Sequence, residues 1–206
     1  MKGTEFMRYR YGIKHLSAQQ QAIIRYKDLN ESLHKESLSS MQNKEIYPLK
    51  IFMKLGLDST TQYNGRDTLK TYKQFLDLNG SVWFSTDSLA TGMAEVKRAE
   101  FMNAINKGKI VEMYFAISKT NDGINKMIAV AEIQDIKTDK DGIVTPDRQL
   151  TPKEWIDDRN KIWIKLKSIT YCKDINSHNF MIATTGKNLY DVISISQFHF
   201  GYIKEI

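Results

Sequence analysis

The sequence predicts an α+β fold, with a strongly bent, mainly antiparallel β-sheet or small barrel flanked by helices. The order of elements is the first reason, because strand, helix, strand and helix are followed by several strands with no helix between them. The second reason is size, since 206 residues, 41% of them hydrophobic, can bury one core but hardly two. A doubly wound parallel sheet fits poorly, because it requires a helix between successive strands.

The N-terminal part, residues 1–49, is predicted to be a helical extension of a domain at residues 50–206. Residues 17–38 have a helical composition and an apolar stripe. This helix either packs on the domain or serves as an arm that binds a partner or nucleic acid. We exclude residues 1–6 from the fold prediction as a remnant of an expression vector, because Met7 begins a more ordinary start.

The predicted strands are short apolar or alternating runs bounded by turn residues. They lie at residues 47–57, 82–85, 110–118, 126–136 and 161–169, with at least one more within residues 179–186 and 191–203. The dipeptide Asp122-Gly123 suits a hairpin turn between the third and fourth strands. Residues 137–148 are polar and rich in turn residues, which predicts a loop.

Two helices separate the first three strands. Residues 64–78 carry apolar side chains at helical spacing, and Gly80 follows the end of this helix. The second helix follows the predicted strand at residues 82–85 and ends at Gly108. A further short helix that begins near Thr151 is predicted to carry Trp155.

The charge and the cysteine content limit the classes of protein to consider. Lys and Arg outnumber Asp and Glu by 30 to 24, which gives a formal net charge of +6 and makes a polyanionic partner plausible. The single Cys172 excludes an internal disulfide, and the four scattered histidines predict no metal site and no cofactor. No apolar run reaches the roughly 18 residues of a membrane span and no signal peptide is evident, which predicts a cytoplasmic protein without a membrane partner.

No catalytic motif stands out. Residues 185–187, TGK, resemble the end of a phosphate-binding loop, but the first glycine is missing and Asn188 replaces the metal-binding hydroxyl residue. A turn is the better interpretation. No Ser-His-Asp or Cys-His arrangement is evident, and the acidic residues are dispersed. Three tryptophans remain, which either form walls for a flat or cationic ligand or belong to the core: Trp83, Trp155 and Trp163.

Several segments share a pattern with one family. The segment VWFST at residues 82–86 is similar to that family's tryptophan-serine-threonine segment. Further matches are MYFAIS at residues 113–118, AVAEI at residues 129–133, IWIKLK at residues 162–167 and the glutamine of the closing segment at Gln197. On these motifs the region from about residue 50 to residue 206 resembles the YTH family and its relatives, the EVE domains. The resemblance implies a PUA-like fold.

The resemblance also implies a noncatalytic reader of a modified, methylated base. In that family two tryptophans form walls of a cage around a methylated base, and the matching positions are Trp83 and Trp155. The hydroxyls of Ser85 and Thr86 are then expected to meet the polar edge of a base flipped out of its strand. Asn64 falls in the region that matches the family's asparagine-containing segment and is assigned to the same site.

The remaining aromatic residues of these segments are expected in the core. Phe84 follows Trp83 on a strand and therefore points to the opposite side. Trp163 lies within an alternating strand. We therefore expect that Trp83 and Trp155 can each be replaced by alanine without loss of the fold, whereas Trp163→Ala destabilises it.

Basic side chains are predicted to hold the nucleic-acid backbone. Lys165 and Lys167 share the face of a strand opposite Ile164 and Leu166, so they project together. Further cations in the preceding polar loop are assigned to the same role: Lys137, Lys140 and Arg148.

The predicted partner is nucleic acid that carries a modified base, either DNA or RNA, with methylated adenine and modified cytosine both open. Relatives of both kinds occur as sensors fused to restriction-type motor domains. The resemblance thus implies the sensor part of a restriction or defence system, with a motor or nuclease effector supplied by another chain or another part of the protein. Two alternatives stay open: an enzyme that processes nucleic acid, as some PUA-like relatives do, and a protein-interaction module whose tryptophans are core or bind a peptide.

Overall fold

The computed structural model describes residues 44–118, 126–173, 175–196 and 198–206. The chain divides into two compact units, Met1–Lys44 and Glu45–Ile206, and the sheet with its helices belongs to the second. Three sequence-based predictions lie outside the described residues: the helix at residues 17–38, the turn at Asp122-Gly123 and the glutamine at Gln197.

Seven strands and three helices make up the described part of the second unit. The strands are β1 (Lys50–Leu55), β2 (Val82–Thr86), β3 (Glu112–Ile117), β4 (Met127–Ile143), β5 (Asn160–Tyr171), β6 (Phe180–Ile182) and β7 (Phe200–Glu205). The helices are α1 (Gly65–Asn79), α2 (Glu95–Asn106) and α3 (Leu189–Ile195). Because β3, β4, β5 and β6 follow α2 with no α-helix between them, the coarse α+β prediction is confirmed.

The strands form one mixed sheet in the order β2-β5-β4-β3-β1-β7-β6. Neighbouring strands are antiparallel except β1 and β3, which pair in parallel because the chain crosses over through α1, β2 and α2 between them. The prediction of a mainly antiparallel sheet is therefore confirmed. The alternative of a small barrel is wrong, because β2 and β6 lie at opposite ends of the strand order and the sheet does not close.

The strand β4 is longer than its apolar pattern predicts. It continues to Ile143, so much of the predicted polar loop at residues 137–148 belongs to the sheet. Lys137 pairs with Trp163 of β5, and bulges interrupt the register on both sides of this pair. Since ladder hydrogen bonds use backbone groups alone, a polar segment can extend a strand wherever a neighbouring strand is in reach.

The helix α1 has a defined cap at each end. The Asn64 side chain accepts hydrogen bonds from the backbone N–H groups of Arg66 and Asp67. At the other end, Gly80 has a φ of 75°, and its N–H donates to the carbonyl of Leu76. A left-handed residue of this kind is the usual way to end a helix, which is why Gly80 stands there.

Apolar side chains are buried on both faces of the sheet. On one face a cluster joins β1, β2 and β5 to α1 and α2, and it includes Tyr72, Phe84 and Phe101. On the other face a second cluster around Phe52 includes residues of α3. Burial of each large side chain contributes about 1.5–3 kcal/mol, so both clusters stabilise the sheet.

The pairing of β2 with β5 determines what each face of these strands meets. Phe84 lies opposite Ile164, and both belong to the cluster beneath α1 and α2. Trp83 lies opposite Lys165. Because successive side chains of a strand point to opposite faces, Trp83, Lys165 and Lys167 lie on the face away from this cluster. We call these three residues the lysine face.

Candidate ligand-binding site

A pocket of about 200 Å³ lies at the end of β2, bordered by the loop after β1, by α1 and by the loop before β5. Three aromatic side chains contribute to it from these elements. Three carboxylates also line it, and we call it the aspartate pocket after them: Asp58, Asp87 and Asp158.

The aromatic wall consists of Tyr72, Phe84 and Trp155. The rings of Tyr72 and Trp155 stack with 4.4 Å between centroids and 11° between planes, and the Phe84 ring lies 5.0 Å from Tyr72. Tyr63 meets Trp155 edge to face. One face of the indole is thus already covered by Tyr72, and each of the three rings is 2% exposed or less, so a ligand can contact only a small part of this wall. Burial raises the pKa of Tyr72, so its hydroxyl stays protonated.

Asp58 holds the loop that follows β1. Its Oδ1 atom accepts hydrogen bonds from the backbone N–H groups of Thr60, at 3.1 Å, and Thr61, at 2.7 Å. Its Oδ2 atom accepts a hydrogen bond from Nε1 of Trp155 at 3.3 Å. The carboxylate therefore connects two loops far apart in the chain and fixes the indole at the wall of the pocket.

Asp87 and Asp158 have fewer structural partners. Oδ1 of Asp87 accepts a hydrogen bond from the backbone N–H of Lys161 at 2.7 Å, and Oδ2 of Asp158 accepts one from the Thr60 hydroxyl at 3.3 Å. Burial raises the pKa of Asp158, and the negative charges of Asp58, Asp157 and Asp87 raise it further against the effect of the Thr60 hydrogen bond. The pocket thus concentrates negative charge, and no Lys, Arg or His is present among the described residues that line it.

Hydroxyl groups complete the lining. The Ser85 hydroxyl lies 3.5 Å from that of Tyr72, and the Thr86 hydroxyl bonds to that of Ser88 at 2.8 Å. Thr68 lines the pocket from α1 and is 6% exposed. Its Oγ1 atom is buried and has no hydrogen-bond partner among the described residues. A buried hydroxyl in this state costs free energy until a ligand or another group satisfies it.

Three residues assigned to the base site, Trp155, Ser85 and Thr86, line the aspartate pocket, but Trp83 does not. Trp83 is 4% exposed and lies on the lysine face, on the other side of β2. Phe84 takes the place at the pocket that was assigned to Trp83. Trp83 and Phe84 do lie on opposite sides of β2, as alternation predicts. However, the pocket is on the side of Phe84 and not on the expected side of Trp83.

Trp155 and Trp163 are both core residues by burial. Trp163 is fully buried and donates a hydrogen bond from Nε1 to the carbonyl of Ile143 at 2.9 Å. Trp155 is 2% exposed and lies on consecutive turns rather than in the predicted short helix. The expectation that Trp155→Ala leaves the fold intact therefore does not agree with its position, because the substitution removes a ring stacked inside the core.

Asn64 does not line the aspartate pocket. Its Oδ1 atom caps α1, and its Nδ2 atom donates to Asp67 at 2.6 Å. The hydrogen-bonding groups of this side chain are thus used within the first turn of the helix. Its position is explained by capping, and a direct role in base binding has no support from its contacts.

The predicted phosphate-binding cations do not line the aspartate pocket either. Lys165 and Lys167 do share a face opposite the buried Ile164 and Leu166, as predicted. Several of the cations have acidic partners: Lys167 lies 3.3 Å from Glu132, Lys137 lies 3.2 Å from Asp135, and Arg148 lies 2.9 Å from Asp157. Lys140 is exposed on β4. Exposed pairs of this kind contribute little to stability and can exchange partners.

Sequence reasoning missed the three aspartates, Tyr72 and Thr68 as site residues. Asp87 follows the VWFST segment directly, and Asp158 follows Trp155 by three residues, so both stood next to segments already singled out. The signal for Asp58 was the run DSTT, which suits a side-chain-capped turn. Nothing in the sequence indicated that these residues converge.

Comparison with protein-family models, with curated proteins and with solved structures finds no match for this chain. The relation to YTH and EVE domains stays a prediction. In the described ranges no group of three or more His, Cys, Asp or Glu side chains is placed to hold a metal ion. No helix within those ranges is long and apolar enough to cross a membrane.

Proposed function

We propose that the chain is a noncatalytic reader of nucleic acid, which takes a modified base, flipped out of DNA or RNA, into the aspartate pocket. The resemblance to YTH and EVE domains of the PUA-like fold supports this, together with the position of the pocket beside the VWFST segment. The proposal differs from the sequence-based assignment in one wall, with Phe84 in place of Trp83.

The size of the pocket is the observation that carries the proposal. Sites for drug-sized ligands usually measure about 300–1,000 Å³. The aspartate pocket measures about 200 Å³, which suits one flat ring rather than a whole nucleotide or cofactor. A flipped base presents such a ring while its sugar and phosphates stay outside.

The lining supplies two kinds of contact that a buried base needs. Contact between a base and an aromatic side chain contributes about 1–3 kcal/mol, and Phe84 and Trp155 border the pocket. The hydroxyls of Ser85 and Thr86 lie beside them for the polar edge of the base, which must find partners once water is excluded.

Among the described strands β2 lies at an edge of the sheet, and in the proposed complex one strand of nucleic acid passes this edge and contacts both faces. In this arrangement its phosphates follow the lysine face, where Lys165 and Lys167 project, and the flipped base passes over the edge of β2 into the pocket. Phosphate contacts would position the strand without reading it, whereas the pocket would select the base. As in the fused relatives, a motor or nuclease effector would be supplied by another chain or another part of the protein.

The test substitutes Gly56, which lines the pocket. A Cβ added at Gly56 meets no atom within 4 Å, so Gly56→Ala is a matched small control for Gly56→Leu, which adds a larger side chain at a position that lines the pocket. Affinities are measured by fluorescence anisotropy for single-stranded DNA and RNA that carry one methylated adenine, one modified cytosine or no modification.

We expect wild type and Gly56→Ala to prefer a modified strand, and Gly56→Leu to lose that preference while it keeps the affinity for plain strands. Equal binding of modified and plain strands by wild type contradicts the proposal. Cleavage or chemical alteration of the strands in the presence of divalent metal would instead favour a nucleic-acid-processing enzyme.

A further inference from the structure

We propose that the aspartate pocket selects a methylated base that carries a positive charge, such as N1-methyladenine or N3-methylcytosine, over neutral methylated bases. This inference rests on the proposed function and names the chemical class of base that the same pocket takes.

The first support is the charge of the lining, which is opposite to that of the chain. The formal net charge is +6, yet the pocket is lined by Asp58, Asp87 and Asp158 and by no described Lys, Arg or His. Asp58 uses both oxygens to hold its loop and Trp155. Asp87 and Asp158 make fewer contacts with the protein, and they are the carboxylates best placed to meet a ligand cation.

The aromatic wall contributes mainly apolar contact. A cation is attracted by a ring face that it can reach, but each ring of this wall is 2% exposed or less, so the carboxylates supply most of the attraction. A methyl group on a charged ring adds apolar contact with Phe84 and Trp155. A neutral base would gain the apolar contact alone, although it would still have to remove water from the carboxylates.

The unsatisfied hydroxyl of Thr68 indicates that the pocket accommodates a polar group. Thr68 is buried, lines the pocket and has no hydrogen-bond partner among the described residues. Its Oγ1 atom can donate to or accept from the edge of a base. This observation is independent of the carboxylates, since it concerns a neutral group on α1.

The carboxylates themselves also favour a cationic ligand. Burial and the neighbouring charges of Asp58, Asp157 and Asp87 raise the pKa of Asp158, which means that its negative charge is unfavourable in the free protein. A bound cation removes this cost, because it compensates charges that otherwise repel one another. This compensation makes the binding free energy of a cationic base more favourable, and a neutral base does not gain it.

The decisive experiment compares two isomers. One single-stranded oligonucleotide is made with N1-methyladenine, which is cationic at neutral pH, with N6-methyladenine, which is neutral, or with plain adenine at the same position. The two methylated strands have the same sequence and differ in the position of the methyl group and in the proton that makes N1-methyladenine a cation. We expect the cationic isomer to bind at least about 10-fold more tightly than the neutral one.

The matched variants are Asp158→Asn and Asp157→Asn. Asp157 is the adjacent acid, but it pairs with Arg148 and does not line the pocket. Asp158→Asn should reduce the affinity for the N1-methyladenine strand several-fold and leave the N6-methyladenine strand unchanged. The charge of Asp157 acts on Asp158 from outside the pocket lining, so Asp157→Asn should change the ratio of the two affinities less than Asp158→Asn does.

The possible outcomes separate this inference from the proposed function. If the neutral isomer binds as tightly as the cationic one, and both exceed the plain strand, the charge selection is wrong and the reader function stands. If no methylated strand, including one with modified cytosine, exceeds the plain strand, both proposals fail. Tighter binding of a trimethyllysine peptide than of any strand would overturn both in favour of a protein-interaction module.

Discussion

The lysine face and the aspartate pocket lie on two sides of the same pair of strands and carry opposite charge. Lys165 and Lys167 project from β5 on one side, whereas Phe84 and Thr86 of β2 border a pocket with three carboxylates on the other. A net charge of +6 therefore describes the surface as a whole but not the sign at a particular site. An acidic pocket repels phosphates, so under the proposed function the base enters the pocket while the phosphates stay outside it.

The first test of the difference between the two sides of β2 and β5 replaces one tryptophan on each side. Trp155 belongs to the cluster beneath α1 and α2, and Trp163 points away from it on β5. We expect Trp155→Ala and Trp163→Ala each to lower the free energy of unfolding by about 3–5 kcal/mol, because each empties a fully packed position. Urea denaturation followed by circular dichroism measures this. A Trp155→Ala variant as stable as wild type would show that its ring is not part of the core.

The second way is to remove the charge of the lysine face with the double substitution Lys165→Ala and Lys167→Ala. If both lysines contact phosphates, affinity should fall equally for modified and plain strands, and the slope of log affinity against log salt should decrease by about 2. Titrations at several salt concentrations decide this. An unchanged slope would place the phosphate contacts elsewhere, and the preference for a modified strand should persist in either case.

The third and smallest expected effect concerns the thermal stability of the protein without a ligand. Because the fold raises the pKa of Asp158, the charged form destabilises the folded state, and this penalty appears as pH rises through and above the usual carboxyl range. Asp158→Asn should therefore raise the melting temperature slightly at pH 7, and the difference should disappear below about pH 4, where both side chains are neutral. A variant that melts below wild type at pH 7 would show that the charge stabilises the fold.

Periodicity and turn residues were enough to predict the coarse fold. The alternation KIWIKLKSI placed Lys165 and Lys167 on one face of β5, and Gly80 marked the end of α1. These features are local, since each depends on neighbouring residues in one element. The open edge at β2 and the length of β4 depend instead on which strand pairs with which, and no local pattern contained that information.

The site was predicted only in part for the same reason. Alternation separates Trp83 from Phe84 but does not state which of them faces the helices, and in the structure it is Phe84 that borders the aspartate pocket. Asp58 and Asp158 lie far apart in the sequence, and they meet because Asp58 holds the indole of Trp155 just before β5. Such a contact depends on the whole sheet and cannot be read from spacing.

The pairing of β2 with β5 also has a consequence for synthesis of the chain. Among the described strands β2 pairs with β5, which comes after α2, β3 and β4 in the sequence. At about 5–20 residues per second of translation, β2 leaves the ribosome several seconds before its partner. During that interval the apolar side chains of Val82, Trp83 and Phe84 are made, but the strand that pairs with them in the folded sheet is not. An unpaired apolar segment of this kind can pair with other chains, so we expect β2 to be the part of the sheet most open to aggregation until β5 is made.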